Sequence, residues 1–238
     1  MSAPILITGV GKRLGLCLAH HLLDQNHEVI GTYRSEYESL DVLRERGAIL
    51  YQCDFCDDVQ VHELLCHIQR RFSNLRAIIH NASDWLADDG DLSHRETFQR
   101  MMGVHAETPY RFNLTLRPLL EANKDGCSDI IHITDYVAER GSKKHIAYAA
   151  SKAALENMTL SFSALMAPKV KVNSISPAMI AFNPEDDAHY RNKALSKSLM
   201  GIEPGFREIE NAIDYLLSSN YVTGRSISVD GGRHLKTG

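Results

Sequence analysis

The residues best spaced for chemistry are Tyr148 and Lys152, in the run Tyr148-Ala149-Ala150-Ser151-Lys152. Four positions apart on a helix, a phenol and an ammonium share one face, one turn along. A phenol of ordinary pKa, about 10, is a poor proton source or base at neutral pH, and a neighbouring ammonium favours the phenolate and lowers that value. A second group of residues, Thr8-Gly9-Val10-Gly11-Lys12-Arg13-Leu14-Gly15, is suited to phosphate. Gly9, Gly11 and Gly15 let backbone come close to a pyrophosphate, the N–H groups of a following helix would face it, and Arg13 adds a fixed charge. Taken alone, the same run is also an ordinary glycine-rich turn. A third group, Tyr33-Arg34-Ser35, follows Ile30-Gly31-Thr32. Dinucleotide sites commonly place Asp or Glu at such a strand tip to bind the adenosine ribose. A guanidinium there suits a 2′-phosphate instead, which favours NADPH.

The pattern around these residues alternates short β-rich runs with longer helical ones. Strands are expected at 4–8, 28–32, 48–53, 77–80, 129–134, 170–175 and 226–229. Runs such as Ile5-Leu6-Ile7 and Ala77-Ile78-Ile79 are almost continuously apolar, as in a parallel sheet covered on both faces. Helices are expected at 14–25, 57–72, 95–120, 147–166 and 208–218, with Pro109 and Pro118 bending or ending the second half of the third. This alternation predicts one α/β domain over 1–238: a Rossmann-like, doubly wound parallel sheet of about seven strands with helices on both faces. Residues 178–201 have a weak, polar pattern and read either as a substrate lid or as a surface excursion.

Composition narrows the function classes. A net charge of −4 gives no footprint for nucleic acid, and no apolar run approaches the length of a membrane span. A cytoplasmic, soluble protein is the expectation. Five scattered cysteines imply no disulfide framework; Cys53 and Cys56 form a C-x-x-C with no second pair to complete a zinc site. The twelve histidines show no metal-binding spacing, so no metal is expected.

Taken together, the chain resembles the short-chain dehydrogenase/reductase family over essentially its whole length. The matching pieces are Thr8-Gly9…Gly15, Asp54 after the third strand, Asn81-Ala82-Ser83 after the fourth, Tyr148…Lys152, Asn173…Pro177 and Asp230-Gly231-Gly232. The resemblance implies that Tyr148 gives a proton to substrate and that Lys152 binds the nicotinamide ribose and tunes the tyrosine. It places Asp54 against adenine and Asn81 on the adenosine side, with Leu14, Ala82, Ser83 and Pro177 completing the NADPH contacts. Asp54 has a second reading, a helix N-cap or turn carboxylate. Homo-oligomers, tetramers in particular, are what the family suggests.

Two departures from the family pattern carry information. Thirteen residues before Tyr148, where the family usually has serine, stands Asp135. A carboxylate only accepts hydrogen bonds, so it repels a carbonyl oxygen and welcomes a ring that presents N–H groups. His105 stands where the family commonly has an asparagine that orders a relay water; it reads either as part of an altered relay or as a surface histidine. Arg13, Tyr33-Arg34-Ser35, Asn81-Ala82-Ser83, Trp85, Asp135 and Tyr148 together look like the pteridine reductase branch. That likeness implies reduction of a 7,8-dihydropterin, with dihydrofolate as a weaker substrate, and with catalysis by Tyr148, Lys152 and Asp135. Arg13, Ser83 and Trp85 would join Asp135 and Tyr148 around the pterin; Trp85 reads either as its stacking partner or as a loop anchor. The competing readings are a carbonyl or 3-oxoacyl reductase of the same family, and a non-catalytic cofactor-sensing protein on this fold.

Overall fold

The computed structural model describes residues 3–236. All seven expected strands form: β1 (Ile5–Thr8), β2 (Val29–Tyr33), β3 (Ile49–Gln52), β4 (Ala77–His80), β5 (Ser128–Ile133), β6 (Val170–Pro177) and β7 (Ser226–Val229). They make one all-parallel sheet in the order β3-β2-β1-β4-β5-β6-β7. Side chains alternate across it, as the two-residue period of a strand requires. Ile5, Ile7, Ala77, Ile79, Ile131 and Ile133 join one buried cluster, while Leu6, Ile78 and Ile130 join the other. The first cluster is closed by α1 (Arg13–Asp24), α2 (Ser39–Glu45) and α9 (Arg207–Ser218), through residues such as Leu18, Leu22, Leu40, Ile209 and Ile213. The second is closed by α3 (Asp58–Arg71), α5 (Thr108–Glu121) and α7 (Ile146–Met166), through Val61, Leu65, Phe112, Leu116 and Phe162. Burial on both faces explains why β1 and the Ala77-Ile78-Ile79 run of β4 read as unbroken apolar stretches.

The expected helix at 95–120 divides into α4 (His94–Met102), a π turn over Gly103–Glu107, and α5. The break falls ahead of Pro109 rather than after it. Proline is tolerated at the start of α5, where its missing N–H has no obligatory partner. Pro118, expected to bend or end the segment, does not end it: it lies inside α5, which runs on to Glu121. Three short helices, α2, α6 (Val137–Arg140) and α8 (Ala188–Leu195), lie outside the expected set. The last makes residues 178–201 partly helical, N-capped by Asp187, whose side chain accepts from the Tyr190 N–H at 2.7 Å. Among the described residues, no helix is long and apolar enough to cross a membrane.

Candidate active site

β1 and β4 are neighbours, with Ile5 opposite Ala77 and Ile7 opposite Ile79, but the chain leaves β1 towards β2 on the other side. Strand order therefore reverses there, and the carboxyl ends of the two strands open a crevice, where open α/β sheets bind ligands. A cavity of about 420 Å³ occupies it, walled by Gly9, Gly11, Arg13, Leu14, Gly15, Tyr33, Arg34, Ser35, Asp54, Asn81, Ala82, Ser83 and Trp85 among others.

The turn after β1 is built by close approach. Gly9 has φ +76. A methyl on Gly15 would sit 2.0 Å from the Gly9 carbonyl oxygen and 2.5 Å from Asn81 Nδ2. Asn81 ties the two strand ends together, its Nδ2 donating to the Thr8 and Gly9 carbonyls, each at 3.0 Å. No side chain caps the N-terminus of α1, so its N–H groups face the cavity side of the turn without a competing cap. Arg13 lies in the left-handed region at φ 52, at a cost of about 1–2 kcal/mol for a residue with a Cβ. Its guanidinium reaches residues 178–201, donating to the Asn183 side chain and, at 2.9 Å, to the Ala181 carbonyl.

At the tip of β2 Tyr33 walls the cavity, and its hydroxyl donates to Glu36 at 2.7 Å and accepts from Arg44 at 3.0 Å. Arg34 is paired rather than free: its Nη1 donates to Asp84 Oδ2 at 2.8 Å, and Arg100 Nε donates to the same oxygen at 2.7 Å. Burial pushes the Asp84 carboxyl up, but the two guanidiniums outweigh it and hold the group below its usual range. Asp54 walls the cavity, and its Oδ1 accepts from the Cys56 N–H at 3.0 Å within the turn; the N-cap of α3 is Asp57, not Asp54. Cys53 and Cys56 are free thiols, and burial, followed by Asp54, pushes Cys53 up to about 12.

Tyr148, Asp135 and Lys152 come together beside this cavity. Tyr148 donates from its hydroxyl to Asp135 Oδ2 at 2.9 Å, and Asp135 Oδ1 accepts from the Val137 N–H at 2.9 Å at the start of α6. The carboxylate is thus aimed at the phenol. Lys152, buried, donates to the Ile133 carbonyl at 2.8 Å, with its ammonium 5.7 Å from the centre of the Tyr148 ring. Burial lowers Lys152 to about 8, against the opposing pull of Asp135. The expected lowering of Tyr148 by Lys152 does not occur. Burial first, then the charge and hydrogen bond of Asp135, push Tyr148 above the ordinary phenol value. Desolvation disfavours the phenolate, and the nearest charge is negative.

His105 is not at the surface: it is 1% exposed, inside the π turn. Its Nε2 accepts from the Asp84 N–H at 3.3 Å, which leaves the proton on Nδ1 to donate to Ser151 Oγ at 2.8 Å. Ser83 Oγ lies 2.9 Å from Nε2, and Ser151 Oγ donates to the Tyr148 carbonyl at 2.7 Å. Burial, then the charge of Lys152, lower the imidazole to about 2. It is therefore a neutral bolt joining the loop after β4 to α7, with both nitrogens engaged and its one proton on Nδ1. A π bulge at such a position is characteristic of functional sites. Trp85 is 66% exposed, with its indole stacked on His145 at 4.1 Å between ring centres. One ring face is thus covered by imidazole.

Lys12, Tyr37, Phe55, Asp84 and Val104 also wall the cavity and were not anticipated from sequence. Lys12 stood in the glycine run and Asp84 directly after Asn81-Ala82-Ser83; nothing in the pattern pointed to Tyr37 or Val104.

A family model described as enoyl-(acyl carrier protein) reductase matches residues 9–234. The dihydromonapterin reductase of Klebsiella pneumoniae subsp. pneumoniae is 54% identical, covering 98% of this chain and 97% of that protein. That of Enterobacter sp. is 55% identical over the same shares, 98% and 97%. That of Escherichia coli O6:H1 is 51% identical, covering 99% and 98%. Among solved structures, FolM alternative dihydrofolate reductase 1 from Brucella canis, complexed with NADP, superposes with a TM-score of 0.88 at 24% identity, covering 99% of this chain and 95% of that one. An apo SCOR enzyme from Clostridium thermocellum gives 0.88 at 22%, covering 100% and 95%. At that identity the two structures bear on the fold, whereas the family model and the relatives above half identity bear on descent. The chain belongs to the short-chain dehydrogenase/reductase family.

Proposed function

We propose that this protein reduces dihydromonapterin to tetrahydromonapterin with NADPH, and dihydrofolate more weakly. The observation that carries this reading is the Asp135 carboxylate hydrogen-bonded to the Tyr148 hydroxyl, where a neutral serine is customary. The residues fit the cofactor: Gly9 and Gly15 let the uncapped start of α1 pack close against the end of β1 at the cavity, where its free N–H groups suit a pyrophosphate, and Arg34 stands at the tip of β2. When bound, NADPH supplies the hydride. Lys152 would hold the nicotinamide ribose, and Asp54, Asn81, Ala82 and Pro177 the rest of the cofactor. The reduction adds hydride at C6 of the dihydropterin and a proton at N5. Tyr148 would deliver that proton, because burial and Asp135 keep its phenol loaded until N5 gains electron density and becomes the stronger base. Arg13, Ser83 and the open face of Trp85 would position the ring. Residues 178–201, held by Arg13, are suited to act as its lid. The relatives named dihydromonapterin reductase, above half identity over nearly the whole chain, support the same substrate.

The test is NADPH consumption by purified protein with dihydromonapterin, dihydrofolate and an acetoacetyl thioester. Turnover should follow that order, and Asp135→Ser should lose pterin activity while gaining activity on the thioester. Unchanged dihydromonapterin beside rapid thioester reduction would overturn the reading in favour of a 3-oxoacyl reductase. Equal NADPH oxidation by Tyr148→Phe and the unmodified protein would favour a cofactor sensor. Exposed apolar side chains on α5 and α7 (Tyr110, Leu114, Leu160 and Leu165) support a homo-oligomer, a tetramer by family pattern, to be read by light scattering.

A further inference from the structure

Arg34, Asp84 and Arg100 come from the tip of β2, the loop after β4 and the last turn of α4. Their meeting is a product of the fold, not of sequence proximity. Both guanidiniums bind one oxygen, Asp84 Oδ2, at 2.8 and 2.7 Å. One carboxylate thus faces two cations, and the group keeps an excess positive charge. Arg34 and Asp84 both wall the cavity, beside Asp54 and Phe55. The Arg34 and Arg100 side chains are 47% and 36% exposed, so an incoming anion can reach both, whereas Asp84 is 15% exposed between them.

We propose that Arg34 and Arg100 form a two-arginine cradle for the 2′-phosphate of the cofactor, and that Asp84 is its resident anion, exchanged for the phosphate on binding. The inference rests on the proposed use of NADPH and names the residues that select it. A phosphate monoester offers three acceptor oxygens and nearly two negative charges, and so satisfies two guanidiniums better than a single carboxylate oxygen can. Asp84 and the phosphate compete for the same donors and repel each other when close, so the carboxylate holds NADPH affinity down. A cofactor without the 2′-phosphate requires no exchange, and its ribose hydroxyl can donate to Asp84. Asp84 thereby takes, from the loop after β4, the part that an acidic residue at the tip of β2 plays in NAD-binding relatives of this fold. It narrows the preference for NADPH over NADH, and Arg100 becomes a specificity residue absent from the sequence-based expectations.

The test measures binding of 2′,5′-ADP and 5′-AMP, which differ only in the 2′-phosphate, by calorimetry on the ligand-free protein. Asp84→Asn keeps the side chain's shape and the backbone N–H to His105, and should bind 2′,5′-ADP about tenfold more tightly, with 5′-AMP changed less than about twofold. Arg100→Gln should lose about tenfold on 2′,5′-ADP and leave 5′-AMP unchanged. Equal or weaker binding of 2′,5′-ADP by Asp84→Asn, or an equal loss on both ligands in Arg100→Gln, would reduce the cluster to a structural staple and overturn the proposal. If Asp84→Asn does not fold, Arg100→Gln still decides it. Should the unmodified protein itself fail to prefer 2′,5′-ADP over 5′-AMP, the NADPH reading falls and the cradle with it.

Discussion

Lys152 sets the site against the stability of the fold, and the conflict can be measured. Its ammonium is buried, and burial takes it from the ordinary 10.5 to about 8. That displacement corresponds to about 3 kcal/mol of cost for holding the charge at neutral pH. The folded state releases its proton near pH 8 and the unfolded state only near 10.5, so between these values the unfolded chain binds more protons and stability rises with pH. Below about pH 8 the cost is present in full; above 10.5 it is gone. Lys152→Met removes the cost but leaves the Ile133 carbonyl without its donor, a loss of about 1–3 kcal/mol at every pH. The variant should therefore match or modestly exceed the parent protein at about pH 7. Its advantage should shrink by about 2 kcal/mol on going to about pH 9.5, ending at or below the parent. Urea unfolding of both proteins at the two pH values, without cofactor, reads this directly. A stability difference that stays constant with pH would refute the account of Lys152 as a buried cation held at a cost.

Other consequences are as open to measurement. Gly15→Ala places a methyl against the Gly9 carbonyl oxygen and Asn81, so the turn must move; about 1–3 kcal/mol of stability should be lost in thermal melts, and binding of NADPH weakened in a fluorescence titration. Asp129 is fully buried between Arg76 and Lys171, the latter at 2.8 Å, and Asp129→Asn leaves two cations short of their partner. A loss of about 3–5 kcal/mol by calorimetry is expected, and a neutral outcome would show the group to be dispensable. Burial lowers His80 to about 4, His105 to about 2 and His132 well below its ordinary value. Folding keeps these rings neutral while the unfolded chain takes up protons below about pH 6.5, so stability should fall as pH drops through that value. A urea midpoint unchanged between about pH 7 and about pH 5 would contradict it.

The centre of the layered fold was legible because both sheet faces are buried there, which writes β1 and β4 as apolar runs whatever follows them. Gly9 and Gly15 were legible for a related reason: the approach of α1 to the strand end leaves no room for a side chain, and only one residue type satisfies that. Tyr148 and Lys152 were legible because helical spacing alone puts them on one face. What stayed hidden depends on crossovers. Arg34 and Asp84 are 50 positions apart and meet only because β1 and β4 pair, a fact of strand order that no local pattern carries. Arg100 was hidden further by the π turn, which sets how α4 meets α5 and leaves its own residues, His105 included, buried. A histidine ahead of a proline carries no sign of being inside or outside. Short helices such as α8 hold too few apolar residues for a periodicity to emerge, so residues 178–201 read as irregular.

The exchange of serine for Asp135 has a consequence for direction as well as substrate. A serine hydroxyl can donate to a carbonyl oxygen and leaves the tyrosine free to approach the phenolate form that removes a proton from an alcohol. A carboxylate that accepts from Tyr148 instead holds the proton on the phenol, and desolvation does the same. In the proposed reduction the loaded phenol is the state required at the start, since N5 must gain a proton as C6 gains hydride. In the reverse sense the site would need an empty phenol beside a negative charge, the state its surroundings disfavour most. The same two groups therefore argue for a nitrogen-bearing ring as substrate and for reduction as the favoured sense. Asp135→Asn, which keeps the shape but not the charge, should relieve the second bias: Tyr148 titrates lower in the variant, by ultraviolet difference spectra, and the ratio of tetrahydropterin oxidation to dihydropterin reduction rises. A Tyr148 titration identical in the two proteins would leave the carboxylate with no hold on the proton and the direction to be set elsewhere.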